Sequence, residues 1–597
     1  MYLKNNIGQR GTLISLYMAY GGTNWGNLAA PVVYTSYDYS APLRETREVQ
    51  PKFSQTKLIA MFVRVTRDLL KSDMESNGTG NAVSTSDIWT WVLRNHETSA
   101  GFYTLQHSTS SSRAITNFSV HLNTTMGPVT VPNVQLNGRQ SKIVVTDYHF
   151  ANHTLLYSSA DILTYASFQT QVVLVMYLQA GQTGELAFKE DVNVSASENV
   201  VFTRSRVPGN NTGTYSRFSW TQTSGRSVVH FTNGVLLYLL DIPTAWTFFA
   251  PPTKSDPNVR SDNQVFVIGP YLVRNATQNG SVVEINGDNT NTTIVEAYVG
   301  DPHIETISWN NRILATNQTA HGSLVASLAG IEDRAVDLPS LSIWSVADSL
   351  PEIAKSYNDS SWKVCDKSST LSPVRPLTLP VLYSSDYDYY TGTKIYRGYF
   401  HGSTAVSANI TAQNGLASGW SAWLNGAFIG GHTGNATLTA TSAVLTFANV
   451  SLEETNVLTI VVDYTGHDET STAHGIENPR GLLGVTIGAS DETKLNFTQW
   501  KIQGNAGGSA NIDPVRGPMN EGGLYGERRG WHLPGYVPGA EFHTATPNEG
   551  INGSGIHWYI TNFTLAIDDD LDVPLGLELG APKGTQASVQ FWINGYQ

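Results

Sequence analysis

The segment Tyr17-Met18-Ala19-Tyr20-Gly21-Gly22-Thr23-Asn24-Trp25-Gly26 is dense in aromatic residues and glycines and carries no charged side chain. It continues an apolar run that begins at Leu13, and a second aromatic segment, Tyr34–Glu45, follows it. Flat aromatic faces pack against the C–H groups of sugars, and tyrosine hydroxyls bond to sugar hydroxyls or to a carboxylate. A (β/α)8 barrel places its active site on the loops that follow its strands. We interpret the segment as such a loop; the alternative is that its aromatic rings only fill the top of a barrel.

The residues around this segment predict one strand, one long loop and one helix. The strand is expected at Leu13–Tyr20, the loop at Gly21–Pro51 and the helix at Lys52–Leu70. Pro51 suits the first turn of a helix, and the apolar residues after it recur with a period of about 3.6. One strand and one helix cannot close an eight-stranded barrel. We therefore expect residues 1–71 to be an unsupported barrel remnant, with unpaired strand edges and an uncovered apolar helix face.

Beyond Lys71 the sequence predicts short strands separated by Gly, Asn and Pro. The apolar runs Val172–Leu178 and Val235–Leu240 predict buried strands. The fold class is therefore mainly β and multidomain, because 597 residues exceed the size of one hydrophobic core. Changes in composition divide the chain into five parts: the barrel remnant at 1–71, a β-rich domain at 72–250, a small β-sandwich at 251–330, and two further β-sandwich domains at 331–500 and 501–597.

The last two domains contain an internal repeat. Trp362 precedes the sequence Trp423-Leu424-Asn425-Gly426 by 61 residues, and Trp531 precedes Trp592-Ile593-Asn594-Gly595 by the same spacing. Asn-Gly favours the two positive-φ positions of a type I′ hairpin turn. We predict two copies of one β-sandwich unit, of which the second is truncated because Gln597 follows its hairpin at once.

Composition and charge exclude several classes of function. The formal charge is −13 and no basic run occurs, so we expect no nucleic-acid partner. The apolar runs are too short to cross a bilayer, so no membrane association is expected. The histidines lack metal-ligand spacing and no phosphate-binding loop is evident, so we predict neither a metal nor a cofactor. Cys365 is the only cysteine, which excludes a disulfide within the chain.

Glycosylation sequons indicate a secretory protein. About seventeen Asn-x-Ser/Thr triplets occur, on the order of twice the random expectation. The residues Met1–Asn6 lack the apolar core of a signal peptide. We therefore expect an extracellular, secreted glycoprotein whose N-terminal portion is missing. The predicted glycosylation sites are Asn77, Asn117, Asn193, Asn275, Asn409, Asn435, Asn496 and Asn552.

Tyr20-Gly21-Gly22-Thr23-Asn24-Trp25-Gly26 resembles the final strand and loop of the catalytic barrel in glycoside hydrolase family 35, the β-galactosidases, in the form found in the fungal secreted subgroup. The similarity extends over essentially the whole chain, through Lys4-Asn5-Asn6, the Pro51–Lys71 helix, Gly269–Arg274, Ser361–Val364 and Arg528–Trp531. It implies that the two terminal sandwiches are jelly-roll domains and that the substrate is a terminal β-galactoside. It also implies a retaining mechanism with two glutamates about 5–5.5 Å apart.

The resemblance assigns binding residues but no catalytic residue within this sequence. Both glutamates belong to barrel strands upstream of Met1, so we expect the isolated chain to be inactive. Tyr17 matches the tyrosine that bonds the nucleophile, and Tyr39 matches a tyrosine that contacts galactose. Glu45 and Glu48 lie in a charged segment that leads into the predicted helix, where local ion pairs are expected, and they are not assigned to catalysis. A monomer is expected. The alternative function is a non-catalytic carbohydrate-binding or cell-surface module built on the sandwiches around Trp423 and Trp592.

Overall fold

The fold of the chain is mainly β, as the sequence predicts, with several separate sheets. The computed structural model describes residues 1–24, 36–169, 171–210, 213–253, 264–331, 336–390, 392–416, 418–434, 437–463, 478–504, 512–518, 522–578, 580 and 588–597. The chain forms two compact units. The first unit comprises Met1–Tyr20 and Ser40–Ala335, and the second comprises Gly21–Tyr39 and Val336–Gln597.

The predicted helix is present and begins at the predicted proline. The α-helices are α1 (Tyr2–Gly8), α2 (Pro51–Val65), α3 (Ile242–Trp246) and α4 (Tyr525–Arg528). Pro51 occupies the first turn of α2, where its missing N–H costs no hydrogen bond. Helix α2 ends five residues earlier than predicted, because Thr66 leaves the helical conformation and Arg67–Lys71 form a 3-10 turn.

The prediction of an uncovered helix face is wrong. Leu58 and Met61 of α2 are buried in a core that they share with Leu163 and Val173. Ile59 and Phe62, on the neighbouring positions of the helix, enter a second core that includes Phe102. The apolar stripe of α2 is therefore covered by the β-rich part of the first unit, which supports this helix without a barrel.

The prediction of a strand at Leu13–Tyr20 is also wrong. These residues form no strand, and Leu13 is 87% exposed. One backbone hydrogen bond to Leu13–Tyr20 runs from the Leu43 amide to the Ala19 carbonyl and is 3.2 Å long. A strand depends on the hydrogen bonds of a neighbouring strand, and none pairs with Leu13–Tyr20 among the described residues.

The β-rich part of the first unit is a sandwich. An eight-stranded sheet has the order β1-β2-β3-β6-β7-β10-β13-β12, a five-stranded sheet has the order β11-β14-β15-β9-β8, and β4 and β5 form a hairpin. The predicted buried runs are β9 and β15, which pair in parallel. The strands are β1 (Asp73–Thr79), β2 (Ile88–Arg94), β3 (Gly101–His107), β4 (Ile115–Thr124), β5 (Gly127–Asn137), β6 (Ser141–Phe150), β7 (His153–Ser158), β8 (Asp161–Ser167), β9 (Val172–Tyr177), β10 (Thr183–Phe188), β11 (Val194–Glu198), β12 (Thr203–Pro208), β13 (Thr214–Thr221), β14 (Arg226–Phe231) and β15 (Val235–Leu240).

A smaller pair of sheets completes the first unit. One sheet has the order β16-β17-β20-β24-β23 and the other has the order β18-β19-β21-β22. Their facing apolar residues form a separate core around Val267, Ile285 and Trp309. The strands are β16 (Phe248–Phe249), β17 (Phe266–Ile268), β18 (Leu272–Asn279), β19 (Val282–Asp288), β20 (Thr293–Tyr298), β21 (Thr306–Trp309), β22 (Arg312–Ile313), β23 (Thr316–Gln318) and β24 (Leu324–Leu328).

The second unit contains a sandwich of a six-stranded and a four-stranded sheet. Their orders are β26-β35-β27-β32-β29-β30 and β31-β28-β33-β34, and a third sheet has the order β36-β25-β37. The strands are β25 (Ser345–Asp348), β26 (Lys363–Val364), β27 (Lys394–His401), β28 (Ala405–Gln413), β29 (Trp420–Leu424), β30 (Ala427–His432), β31 (Ala440–Thr446), β32 (Thr455–Val462), β33 (Gly481–Ala489), β34 (Lys494–Leu495), β35 (Phe497–Gln503), β36 (His543–Thr544) and β37 (His557–Ile560).

The repeated Asn-Gly turns have the conformation that the sequence predicts. Asn425 and Gly426 have φ of 50° and 88°, and Asn594 and Gly595 have φ of 52° and 88°. Two consecutive positive φ values identify a type I′ turn. Trp423 packs with Trp362 in one core, and Trp592 stacks on Trp558 with 4.6 Å between ring centroids.

Candidate substrate-binding segment

The two tyrosines predicted to bind substrate are both exposed. Tyr17 is 81% exposed and belongs to the first unit, whereas Tyr39 is 65% exposed and belongs to the second. The Tyr39 ring meets the Tyr37 ring edge-on, with 4.9 Å between centroids. Tyr39 has a φ of 50°, a left-handed conformation that few side-chain-bearing residues adopt.

Gly21 and Gly22 hold the two ends of the loop together. The Tyr37 amide donates to the Gly22 carbonyl at 2.9 Å, and Thr23 and Ser36 form a β-bridge. A Cβ on Gly21 would lie 1.7 Å from the Tyr37 carbonyl oxygen, so only glycine fits there. Trp25 and Tyr34, which belong to the same loop by sequence, lie outside the described residues.

The acidic residues that follow the loop are part of a local turn. The Arg44 amide donates to the Glu48 carbonyl at 3.0 Å, and the side chains of these two residues form an ion pair at 3.4 Å. Both side chains are more than half exposed, so the pair contributes little to stability. That Glu48 takes no part in catalysis stays a prediction.

Three buried glutamates elsewhere in the chain have structural partners of their own. Burial raises the pKa of Glu185, which accepts a 2.7 Å hydrogen bond from the Tyr157 hydroxyl. Burial also raises the pKa of Glu352, which pairs with Arg528. For Glu296, burial alone would raise the pKa, but His321, Arg226 and Ser323 together hold it below its ordinary value.

The two tryptophans of the predicted carbohydrate-binding module differ in burial. Trp423 is 3% exposed, and its core neighbours are Leu350, Trp362 and Ile395. Trp592 is half-buried beneath the stacking contact with Trp558. A ring that is buried on both faces offers no surface to a sugar, so the Trp423 side chain anchors its hairpin instead.

The predicted glycosylation sites lie at the surface wherever they are described. Asn77, Asn117, Asn193, Asn275, Asn409, Asn496 and Asn552 are all exposed, and Asn435 lies outside the described residues. No helix in the described parts of the chain has the length and apolar character needed to cross a membrane.

Four protein-family models match successive segments of the chain. Residues 2–63 match glycosyl hydrolases family 35, residues 69–248 match β-galactosidase domain 2, and residues 249–325 match β-galactosidase domain 3. The β-galactosidase second all-beta domain matches both 357–468 and 525–597, the two copies of the repeat. Over these residues the chain is similar to glycosyl hydrolases family 35 and to domains of β-galactosidases.

Relatives from several fungi are similar to the chain over its whole length. The chain is 58% identical over 604 residues to the probable beta-galactosidase C of Sclerotinia sclerotiorum. It is 54% identical over 600 residues to the proteins of the same name in Neosartorya fischeri and Aspergillus fumigatus. In each case the whole of this chain is aligned, and it spans 60% of the length of the relative.

Solved structures add no argument to these similarities. The apo form of Pleurotus ostreatus lectin covers 55% of this chain and 74% of its own, at 13% identity and a TM-score of 0.15. A similarity at this level does not indicate a shared fold.

Proposed function

We propose that the protein to which these domains belong is a β-galactosidase that hydrolyses terminal β-D-galactosyl residues with retention of configuration. The observation that carries the proposal is the succession of family 35 and β-galactosidase models along residues 2–597. Relatives named probable beta-galactosidase C, which align with all of this chain, support the same reaction.

Tyr17 and Tyr39 bind the galactoside in this proposal. Their exposure supports a role in binding, because both rings are accessible to a ligand. A phenol hydroxyl donates and accepts hydrogen bonds, so it can hold a sugar hydroxyl and orient a carboxylate nucleophile. No carboxylate of the described chain is assigned as nucleophile or general acid, and the 597-residue polypeptide alone is therefore expected to hydrolyse no β-galactoside.

A fusion to a relative tests the reaction and both tyrosines. The part of the Sclerotinia sclerotiorum protein that this chain does not cover would be joined to the chain, and hydrolysis of 4-nitrophenyl β-D-galactoside would be measured. We expect turnover from the fusion, none from the chain alone, and a loss of about 100-fold in kcat/KM for Tyr17→Phe. Tyr2→Phe, an exposed tyrosine on α1, serves as the control. A fusion that cleaves the β-glucoside but not the β-galactoside contradicts the proposal.

The protein is further proposed to be a secreted, glycosylated monomer. The exposure of the seven described asparagines supports glycosylation, because an oligosaccharide can be attached only at an accessible amide. Expression in a secreting fungal host, followed by enzymatic deglycosylation, should lower the apparent mass. An unchanged mass contradicts this part of the proposal.

The division into parts at 1–71, 72–250, 251–330, 331–500 and 501–597, the last a truncated jelly roll, is also a proposal. The two sheets of the β-rich sandwich lie within 73–240, which supports the second part. Strand β25, which precedes the first copy of the repeat, pairs with β36 and β37 within the second copy. Limited proteolysis should therefore cut the chain near residue 500 while the 331–500 and 501–597 pieces stay associated. Absence of a cut there would contradict the boundary.

A further inference from the structure

Tyr271, in the segment Gly269–Arg274, makes a long-range contact with the part of the chain that precedes helix α2. Its hydroxyl oxygen accepts a 2.6 Å hydrogen bond from the Val49 amide, 222 positions earlier in the chain. Tyr271 comes directly before β18 of the smaller pair of sheets, whereas Val49 closely precedes Pro51 at the start of α2. Both residues belong to the first unit. The contact therefore ties the approach to α2 to a separate sandwich.

The turn that carries Tyr271 is itself held in place. The Gly269 amide donates to the carbonyl of Thr247, the residue that ends α3, at 3.1 Å. Pro270 is buried, and its ring fixes its own backbone φ. The residues after Tyr271 enter β18, which pairs with β19 along its length. The Tyr271 hydroxyl is therefore presented by a rigid element.

Val49 belongs to a closed hairpin at residues 41–50. Leu43 and Val49 form an antiparallel bridge in this hairpin. Two backbone hydrogen bonds of 3.0 Å flank the bridge, from Arg44 to Glu48 and from Gln50 to Pro42. Leu43 and Val49 are thus a non-hydrogen-bonded pair, so their own amides point away from each other. Each of these amides needs an acceptor outside the hairpin.

The two outward amides find their acceptors on opposite sides of the 41–50 hairpin. The Leu43 amide donates to the Ala19 carbonyl at 3.2 Å, and the Val49 amide donates to the Tyr271 hydroxyl. Ala19 closely follows Tyr17, in the segment that forms no strand. The hairpin is therefore a link with Tyr271 on one side and the backbone that carries Tyr17 on the other.

On the basis of the proposed function, in which Tyr17 binds the galactoside, we propose that Tyr271 is a positioning residue for Tyr17. Its hydroxyl holds the 41–50 hairpin, and the Leu43 amide of the hairpin holds the backbone beside Tyr17. The Tyr17 side chain is 81% exposed, so its position follows that of the backbone that carries it. Tyr271 acts through this link and not by contact with the substrate.

Hydrolysis of 4-nitrophenyl β-D-galactoside by the fusion to the Sclerotinia sclerotiorum portion tests the effect on the reaction. Tyr271→Phe keeps the ring and removes the acceptor, and we expect kcat/KM to fall about tenfold. The double variant Tyr17→Phe/Tyr271→Phe should fall no further than Tyr17→Phe alone, about 100-fold, because no hydroxyl remains at position 17 to be positioned. An unchanged kcat/KM in Tyr271→Phe, or a loss of about 1000-fold in the double variant, overturns the proposal.

Tyr298→Phe is the matched control for the loss of a hydroxyl. Tyr298 lies in β20 of the same pair of sheets, and its hydroxyl accepts a 2.5 Å hydrogen bond from the Gln171 side chain. We expect Tyr298→Phe to lower the free energy of unfolding at least as much as Tyr271→Phe does, with kcat/KM unchanged. An equal fall of kcat/KM in both variants would mean that lost stability accounts for the effect, and it overturns the proposal.

Hydrogen exchange of the 597-residue chain separates the positioning role from the proposed reaction. We expect the Val49 and Leu43 amides to exchange about tenfold faster in Tyr271→Phe than in the unmodified chain, and to exchange at the unmodified rate in Tyr298→Phe. A fusion that does not cleave the galactoside contradicts the proposed reaction and leaves this measurement decisive. Unchanged exchange at both amides, or faster exchange at Val49 without a change at Leu43, overturns the positioning role.

Discussion

Lys4 Nζ lies 2.6 Å from Asp161 Oδ1, and the side chains of both residues are 6% exposed. The ammonium also donates to the Ser141 carbonyl at 3.0 Å, and Asp161 Oδ1 accepts a 2.8 Å bond from the Ile143 amide. Although burial disfavours the charged amine, Asp161 and Tyr177 raise the pKa of Lys4 above its ordinary value. These contacts join helix α1 to β8, the edge strand of the five-stranded sheet, and to β6, an interior strand of the eight-stranded sheet.

We expect Lys4→Met to destabilise the first unit by about 3 kcal/mol, because removal of one partner leaves a buried carboxylate uncompensated. The free energy of unfolding in urea measures this loss. Arg10→Gln is the matched control, since Arg10 pairs with Asp73 at the surface and such pairs contribute about 0–1 kcal/mol. Equal losses of unfolding free energy in the two variants would show that the buried Lys4–Asp161 pair contributes no more stability than the exposed pair.

The type I′ turn at Asn425-Gly426 provides a second prediction. Gly426 has a φ of 88°, and a Cβ built there would lie 3.6 Å from the Ile353 carbonyl oxygen, without a clash. Gly426→Ala should therefore cost about 1–2 kcal/mol in the second unit, entirely from the left-handed backbone. Gly555→Ala is the control, because Gly555 has no left-handed φ and no atom near its Cβ position. A thermal unfolding midpoint that is unchanged by Gly426→Ala contradicts the assignment of strain to this turn.

Local signals in the sequence account for the features that could be predicted. Asn-Gly specifies a turn through its own backbone preference, and Pro51 starts a helix because of its fixed φ and missing N–H. The buried runs that became β9 and β15 are apolar on both faces, as expected for interior strands. Such signals lie within a few residues of each other, so a single sequence contains them in full.

Features that depend on distant partners could not be predicted. Leu13–Tyr20 has a strand-like sequence, but its conformation depends on neighbours that no local pattern specifies. The Arg226, Glu296 and His321 cluster joins residues that are up to 95 positions apart, and no spacing in the sequence indicates their convergence. The same is true of the exposure of Tyr17 and Tyr39, which follows from the fold around them.

Replacement of the Glu185 carboxyl by a neutral group should change how the stability of the folded chain depends on pH. Burial raises the pKa of this carboxyl, while Tyr157 and Arg217 oppose the shift. A carboxyl with a raised pKa in the folded state contributes stability below its unfolded pKa and loses that contribution as the pH rises. Glu185→Gln lacks this titration and keeps an oxygen that accepts from Tyr157. We expect the stability of the variant, relative to the unmodified chain, to increase between about pH 4 and about pH 7.

Urea unfolding at the two pH values measures this difference for Glu185→Gln. Glu190→Gln, on the exposed turn after β10, is the control and should show no comparable change. A relative stability that falls as the pH rises would mean that the Glu185 carboxylate is favoured by its surroundings.

The pKa of Asp513, in the second unit, is shifted in the opposite direction to that of Glu185. Its carboxylate accepts from the Val515 and Arg516 amides at 2.8 Å each and from His532 Nε2 at 2.7 Å. Burial alone would raise the pKa of Asp513, but these donors hold the pKa well below its ordinary range. A carboxyl of this kind contributes stability above its unfolded pKa of about 3.9 and loses that contribution as the pH falls toward the folded value.

We therefore expect Asp513→Asn to cost about 2 kcal/mol near pH 7 and progressively less below about pH 4, because protonation of the unmodified chain removes the same interactions. Fluorescence of Trp531, Trp558 and Trp592 during urea unfolding reports on this region, and Asp569→Asn, at an exposed position, is the control. A cost that stays constant down to about pH 2 would show that the Asp513 carboxylate is not the ionised acceptor of these bonds.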